Sequence, residues 1–323
     1  MKGSRGSWRL WRGVLAAGAC CAGVVGGCSR GIEPPPEPDG MRAFGYLEEQ
    51  VAFGPRVPGS AAAERCRHYL LEELRRHTRH VETQEFEIAD PYGADSLQLV
   101  NLIARFRPEH RHRVLLAAHY DSRPRADQDS GAARERPVPG ANDGASGVAV
   151  LLEVARALEA WDPGIGVDVV FFDGEDYGRE GDPEHYLLGS KHYARTIPAA
   201  GSDPSGFYRP RAVVLLDMVG DRDLRIPMEG YSLRTSPALT RLVFAVAESL
   251  QAPGFAAEPG PPVYDDHVPF LERGIPAVDL IDFDYPAWHT ERDVPERCSP
   301  QSLESVARVV LHTLMRLSLR YAS

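Results

Sequence analysis

Four short segments of this 323-residue chain are almost continuously apolar, and they constrain its fold more than any other feature. Each is rich in Val, Ile, Leu or Phe, as strands are when both faces of their sheet are covered. The segments are Val114–Ala118, Val167–Phe172, Ala212–Leu216 and Ala277–Ile281. Because helix-like segments alternate with them, the sequence predicts an α/β fold: a single domain with a mostly parallel central sheet flanked by helices.

Four helices have clear end signals or a one-sided apolar pattern. Two of them begin with a serine followed by proline, which combines a capping residue with the residue favoured at the first helical position. The predicted helices run from Ser60 to about Arg79, over Gly147–Trp161, from Ser236-Pro237 to about Leu250, and from Ser299-Pro300 to about Arg320. Val51–Pro58 and Asp121–Gly140 are predicted loops, and the second is long enough to be functional.

The first 27 residues have the pattern of a targeting segment. Basic residues precede a short apolar stretch, Gly13–Val25, which is well below the roughly 20 apolar residues of a membrane-spanning helix. It ends in Val25-Gly26-Gly27-Cys28, which resembles a bacterial lipobox. We predict a signal peptide over 1–27, lipidated Cys28, a Pro-rich tether over 28–40 and the catalytic domain over 41–323, exported to the periplasmic or cell-surface side of a membrane. A plain signal peptide cut near Cys20 or Cys21, or an uncleaved anchor, is the alternative.

Composition narrows the possible partners. The formal net charge is −10, and the only charged residues of the first 27 are basic, so the remainder is more acidic still. An acidic surface argues against nucleic acid as a partner. Any membrane contact is expected through the lipid anchor alone. Cys66 and Cys298 are far apart in sequence and have no Cys or His partner at zinc-finger spacing, so neither is a metal candidate, and their pairing stays open.

Polar residues at the ends of the apolar strands carry the chemical information. In open α/β sheets, ligands bind beyond the carboxyl ends of the strands. Five segments place acids or histidines there or just before a helix: His119-Tyr120-Asp121, Asp143, Asp173-Gly174-Glu175-Asp176, Asp217 and His289. Five separate segments are unlikely to acquire such groups by chance. We therefore expect them to converge on one site.

Aspartate and histidine are zinc ligands, and three protein ligands with one open position describe a catalytic zinc site. Each residue alone has a plainer explanation: Asp143 resembles a helix cap, and Asp121 suits a partner that orients His119. Calcium would accept the carboxylates, but His289 favours zinc. The combination of residues indicates a zinc enzyme.

Several motifs carry a family resemblance. From about Leu99 to Arg320 the chain resembles the zinc aminopeptidase superfamily, which includes the glutaminyl cyclases. The motifs are Leu116–Ser122, Gly140–Gly147, Phe171–Asp176, Leu188–Ser190, Leu215–Asp217, Asp265–Phe270 and Trp288–Thr290. Three features resemble the cyclase branch more closely: His119–Ser122, Asp265–His267 with Pro269–Leu271, and Tyr285-Pro286 followed by Trp288–Thr290.

The resemblance implies roles for these residues. It implies metal ligands at Asp143, Asp176 and His289, an acid/base at Glu175, supporting carboxylates at Asp217 and Asp265, and pocket walls at Trp288, Tyr285 and Val263. The chain departs from the family at Asp176, where glutamate is common, and over Tyr177–Leu187, which lacks the pocket tryptophan of animal cyclases. The shorter carboxylate is expected to retain zinc.

The implied reaction is closure of an N-terminal glutamine, on a peptide or protein, to pyroglutamate with release of ammonia, using one zinc. The nearest alternative is a dizinc aminopeptidase, in which His119 and Asp217 hold a second zinc and Asp143 bridges the two. A binding domain without catalytic activity is disfavoured because no ligand or acid/base is missing. A purely structural surface lipoprotein explains the anchor but not the clustered acids.

Overall fold

The four apolar segments form adjacent strands of a six-stranded sheet. A computed structural model of the protein describes residues 33–93, 95–202 and 209–321. Its strands are β1 (Val81–Ala89), β2 (Ser96–Phe106), β3 (Arg113–His119), β4 (Gly166–Phe172), β5 (Ala212–Asp217), β6 (Ile226–Met228), β7 (Phe255–Pro259) and β8 (Ala277–Ile281). The order in the large sheet is β1-β2-β4-β3-β5-β8. The strands β4, β3, β5 and β8 run parallel to their neighbours in this group, which confirms the predicted architecture.

β1 and β2 form an antiparallel pair at one edge of that sheet, and the apolar pattern did not predict them. β1 carries Glu82, Glu85 and Glu87, and all of its residues are half-buried or exposed, as suits an edge strand in contact with water. β6 and β7 form a separate small sheet. A search for continuous apolar runs therefore finds only the strands covered on both faces.

Helices cover both faces of the sheet. Within the described residues they are α1 (Gly40–Ala52), α2 (Ala61–His77), α3 (Ser146–Ala160), α4 (Leu188–Thr196), α5 (Gly230–Thr235), α6 (Pro237–Ser249), α7 (Val268–Glu272) and α8 (Pro300–Tyr321). The four predicted helices are α2, α3, α6 and α8, with ends within two residues of those observed. The predicted loop Val51–Pro58 begins inside the last turn of α1.

Alternating side chains of the central strands enter two apolar layers. In β3, Val114, Leu116 and Ala118 pack with the layer that contains α1, α2, α3, α6 and α8. Leu115 and Ala117 point to the opposite layer, where α4 contributes Ala194, α7 contributes Phe270, and Ile197 follows α4. Because side chains alternate across a strand, a strand between two helical layers must be apolar at nearly every position.

The serines ahead of the helices do not all act as caps. The hydroxyl oxygen of Ser60 accepts a hydrogen bond from Ala63 N at 3.1 Å, and that of Ser299 accepts one from Ser302 N at 3.1 Å. Ser236 lies at the predicted N-cap of α6, but its hydroxyl instead accepts a bond from Ala277 N at the start of β8. Its predicted capping bond was therefore wrong, because β8 offers a competing donor.

Domain contacts begin before Met41. The indole N–H of Trp161 donates to the carbonyl oxygen of Glu33 at 2.9 Å, and Asp39 N donates to the buried Glu153 carboxylate at 2.9 Å. Asp39 also caps α1 by accepting from Arg42 N. Residues 33–39, the last part of the predicted tether, thus pack against the domain. The predicted signal peptide and Cys28 lie outside the described residues.

The pairing of the two cysteines of the domain was left open by the sequence. Cys66 and Cys298 are buried and free, so they form no disulfide with each other. Burial raises the pKa of the Cys66 thiol to about 12, which keeps it protonated and unreactive.

Among the described residues, the helices are all too short or too polar to cross a membrane.

Candidate active site

The carboxyl ends of β3, β4 and β5 place their polar residues around one cavity of about 490 Å³. Asp143 reaches it from the loop before α3, and His289 reaches it from the loop after β8. The cavity is lined by Arg123, Asp127, Gln128, Asp143, Glu175, Asp176, Glu180, Gly181, Asp182, Pro183, Tyr186, Asp217, Met218, Pro262, Val263, Tyr264, Asp265, Ile281, Phe283, Trp288 and His289. Four of the five polar segments therefore line one cavity, as parallel strands require.

Asp143, Asp176 and His289 form a compact group of potential metal ligands. One atom of each lies within 4.8 Å of the others, and all three residues are buried. Nε2 of His289 is 3.4 Å from Asp176 Oδ1 and 3.7 Å from Asp143 Oδ2. The second oxygen of Asp176, Oδ2, is buried without a hydrogen-bond partner. Two carboxylates, one imidazole and an unpaired buried oxygen fit a zinc ion with an open coordination position.

The backbone around these ligands is held by two other carboxylates. Asp293 accepts hydrogen bonds from Asn142 N at 2.8 Å and from Asp143 N at 3.1 Å. Asp121 accepts from both Glu175 N and Asp176 N at 3.1 Å. His289 itself has a φ of +54°, a conformation that non-glycine residues rarely adopt and that marks functional sites.

Gly144 allows the Asp143 loop to approach the strand end. Its φ is +97°, and a Cβ at this position would lie 2.1 Å from the Asp121 carbonyl oxygen. Only glycine satisfies both conditions. The Gly140–Gly147 motif thus has a packing role beside the ligand it contains.

His119 lies beneath the cavity wall, buried between three carboxylates. Its Nδ1 is 3.3 Å from Asp121 Oδ1, the contact expected of an orienting partner. Its Nε2 is 3.1 Å from Asp217 Oδ1 and 3.2 Å from Asp143 Oδ1. His119, Asp143 and Asp217 form a second group with metal-ligand spacing, and it shares Asp143 with the first. The arrangement thus permits two adjacent ions with Asp143 between them.

Glu175, Asp217 and Asp265 line the same cavity. Burial raises the pKa of Glu175 and of Asp217. Burial and the nearby Asp217 charge raise the pKa of Asp265 to about 7. Burial of this kind favours the protonated form of a carboxyl, which suits groups that take part in proton exchange.

The aromatic wall differs in part from the expected one. Val263 and Trp288 line the cavity, and the Trp288 ring stacks on His289 with centroids 3.8 Å apart. Tyr285 does not reach the cavity: its ring is buried with Met218 and Ile281, and its hydroxyl donates to Asp293. Three aromatic residues that were not predicted, Tyr186, Tyr264 and Phe283, complete the lining.

The Asp265–His267 motif extends behind the cavity. Asp266 accepts a hydrogen bond from the Ser190 hydroxyl. His267 is fully buried, with Nε2 3.2 Å from Glu229 Oε2 and Nδ1 3.7 Å from Asp279 Oδ2. These three side chains also have metal-ligand spacing. The Glu229 oxygens, however, already accept bonds from three backbone amides and a hydroxyl.

Besides these aromatic residues, sequence reasoning missed three charged residues of the site: Arg123, Asp127 and Asp293. Arg123 and Asp127 lie in the predicted loop Asp121–Gly140, and Asp293 follows His289 by four residues. Their closeness in sequence to the motifs was the only indication that these residues belong to the site. Closeness in sequence does not determine which of the many polar loop residues point into the site.

The comparisons with known proteins agree with this geometry. A family model described as peptidase family M28 matches residues 101–314. The mouse glutaminyl-peptide cyclotransferase-like protein is 31% identical over 280 residues, covering 79% of this chain and 70% of the mouse protein. Porphyromonas gingivalis glutaminyl cyclase is 37% identical with a TM-score of 0.81, covering 87% of this chain and 100% of that one. A Zn-dependent exopeptidase from Parabacteroides distasonis is 36% identical with a TM-score of 0.80, covering 87% and 99%.

Proposed function

This chain belongs to peptidase family M28 and to its glutaminyl cyclase branch, and from that premise we propose that it converts the N-terminal glutamine of peptides or proteins to pyroglutamate, releasing ammonia. The observation that carries the proposal is the group of Asp143, Asp176 and His289 in the same cavity as the buried Glu175. In such a site, a metal ion and a proton-transferring carboxylate can both act on the same bound substrate.

We assign the zinc ligands to Asp143, Asp176 and His289. Zinc is consistent with the family and with the unpaired Asp176 oxygen. When bound there, zinc supplies a Lewis acid for the side-chain carbonyl of the substrate glutamine. A single ion is proposed, because the reaction needs one polarised carbonyl and no activated water.

Glu175 moves one proton in the proposed reaction. The α-amine nitrogen forms a bond to the side-chain carbonyl carbon, and the Glu175 carboxylate accepts one amine proton. The bond from that carbon to the amide nitrogen then breaks, and Glu175 returns the proton so that ammonia leaves. Burial, which raises the pKa of Glu175, supports this proton exchange.

Asp217 and Asp265 support Glu175 by sharing protons among the buried carboxyls. Both line the cavity, and burial raises the pKa of each, that of Asp265 to about 7. A shared proton lowers the repulsion between neighbouring carboxylates. The flat Trp288 ring and Val263 provide apolar surface against which the glutamine side chain is held.

We further propose export and anchoring through a lipid on Cys28. The support is the basic and apolar pattern of residues 1–27 and the small residues before Cys28. Replacing Cys28 by alanine is expected to release the protein from membranes in cell fractionation. Equal membrane retention of both forms would contradict the lipid anchor.

A dizinc aminopeptidase is the second candidate. It is favoured by the adjacent group of His119, Asp143 and Asp217 and by similarity to the P. distasonis exopeptidase. In that reaction Glu175 would take a proton from water rather than from the substrate amine. Zinc content at full occupancy separates the two candidates: one ion favours the cyclase, and two favour the peptidase.

The decisive test compares two peptides, one beginning with glutamine and one with leucine. The purified, zinc-loaded protein is incubated with each, and products are followed by mass spectrometry. The cyclase is expected to remove one ammonia from the intact glutamine peptide, faster than the spontaneous reaction, and to leave the leucine peptide unchanged. Release of the first residue from either peptide would instead establish the aminopeptidase.

A further inference from the structure

The Arg123 guanidinium is buried among the metal-site residues, although its side chain was not part of the expected site. Its side chain is 1% exposed. Nη1 donates to Asp176 Oδ1 at 2.6 Å, and Nε donates to Asp127 Oδ1 at 3.0 Å. Nη2 donates to the other Asp127 oxygen and to the Tyr186 hydroxyl. A guanidinium in this position holds its partners in one plane, because its donors form a rigid fork.

Asp127 continues the contact to a second ligand. Its Oδ1 lies 3.3 Å from Nδ1 of His289, on the side of the imidazole away from Asp143 and Asp176. A carboxylate on the far nitrogen fixes the ring orientation and leaves Nε2 free to bind metal. Arg123 and Asp127 therefore touch two of the three proposed zinc ligands and also each other.

The contact with Arg123 suits Asp176, whose side chain is shorter than the glutamate that is common at this position in the family. Arg123 occupies Oδ1 of Asp176 and leaves Oδ2 buried without a partner. The same Oδ1 lies 3.4 Å from Nε2 of His289, so the guanidinium fixes the rotation of the Asp176 carboxylate beside the second proposed ligand.

We propose that Arg123 and Asp127 form a clamp that positions Asp176 and His289 for zinc, and that this clamp sets the affinity and the residence time of the ion. The inference rests on the zinc site of the proposed function. Both are positioning residues, since they act through the ligands. Tyr186, from the segment that lacks the animal tryptophan, closes the outer side of the clamp with its hydroxyl on Arg123.

The test uses the full chain with Arg123→Lys and Asp127→Asn. The first keeps the positive charge and removes the fork, and the second keeps the shape and removes the carboxylate on His289. Arg125→Lys is the matched control: Arg125 lies on the same loop but donates to the carbonyl oxygens of Tyr177 and Gly178. The zinc dissociation constant is measured by competition with a chelator, and zinc release is timed after chelator is added in excess.

Each clamp variant is expected to weaken zinc binding by about 10- to 100-fold and to speed zinc release, as loss of a ligand's outer partner does elsewhere. Arg125→Lys is expected to bind zinc as the wild type does. The double variant is expected to lose less than the product of the two single losses, because both break one unit. Circular dichroism of the zinc-free proteins checks that all variants fold; if Arg123→Lys does not, Asp127→Asn decides.

Folded clamp variants with zinc affinity and release within twofold of the wild type would overturn the clamp. That outcome is distinct from failure of the proposed function. If the wild-type protein binds zinc but does not cyclise glutamine, the clamp result still holds. If the wild-type protein binds no zinc, the proposed metal site itself is wrong.

Discussion

At the scale of single residues, burial rather than residue type gives Glu175 its proposed role. Glutamates on the surface are ordinary acids, but this one is 9% exposed and lies near Asp176, Asp265 and Asp266. Its backbone N–H is held by Asp121, so the side chain starts from a fixed position. Burial raises its pKa, and the fixed backbone directs it into the cavity with the proposed metal ligands.

Replacing Glu175 with glutamine tests this role directly. We expect kcat for cyclisation to fall by about 10²- to 10⁴-fold, because the amide cannot carry the proton. Zinc content should not change, since Glu175 is not a proposed ligand. Glu184→Gln is the control, because Glu184 is exposed and outside the cavity. Steady-state kinetics with metal analysis decides; a variant that keeps most of its activity would remove Glu175 from the mechanism.

At the scale of elements, α3 links the sheet to the site. Gly147 lies in its first turn, where an added Cβ would be 2.2 Å from the Leu216 carbonyl oxygen and 3.0 Å from Ala118 Cβ. The close approach lets α3 pack directly on β3 and β5. Asp143 lies just before the helix and Asp217 at the end of β5, so this contact sets the spacing of two site residues.

Gly147→Ala is therefore expected to push α3 away from the sheet. We expect a loss of about 1–3 kcal/mol in the free energy of unfolding and a clear drop in activity. Gly45→Ala in α1 is the control, since nothing lies within 4 Å of its added Cβ; it should stabilise the protein by about 0.5–1 kcal/mol. Urea unfolding measures both. A neutral Gly147→Ala would show that the helix tolerates a wider spacing.

The short helix α5 depends on one buried carboxylate. Glu229 accepts hydrogen bonds from Tyr231 N and Ser232 N at 2.7 Å each and from Val263 N at 2.9 Å. Val263 is part of the cavity wall, so the cap also fixes the pocket. Burial alone raises the pKa of Glu229, but the His267 imidazole and the backbone amides lower it more, to about 2.

A lowered pKa makes the contribution of Glu229 depend on pH. The stabilisation is fully present above the ordinary value of 4.5 and is lost as pH falls towards 2, because the unfolded chain takes up the proton first. We expect Glu229→Gln to cost about 2 kcal/mol at pH 7, with a smaller difference from wild type below pH 4.5. The exposed Glu258→Gln is the control. Unfolding curves at several pH values give the result, and a difference that is constant with pH would contradict this account.

At the scale of the whole molecule, residues 33–39 pack as part of the domain. Residues 33–39 bury Pro35 and Pro38, satisfy the Trp161 indole, cap α1 and pair with Glu153. Those contacts join the segment to α3, which α1 and α8 also cover. Because residues 33–39 pack against the domain, we propose a domain boundary nearer Glu33 than Met41.

Two truncated proteins test the boundary, one starting at Glu33 and one at Met41. The shorter is expected to unfold at lower urea concentration, with a loss of about 2–3 kcal/mol from the α1 cap and the two broken hydrogen bonds. Activity should persist in both, because no residue of this segment lines the cavity. Equal unfolding free energies would mean that these contacts do not stabilise the domain.

The sequence by itself determined the sheet centre, four helices and the convergence of the site. A strand covered on both faces must be apolar along its length, and parallel strands present their carboxyl ends at one edge, so both features are local and readable. Only the tertiary structure decided the rest: the β1–β2 edge, the inward position of Arg123, Asp127 and Asp293, and the turn of Tyr285 away from the cavity. These depend on which long-range partner each polar group meets, such as Asp176 for Arg123, and local sequence does not encode that choice.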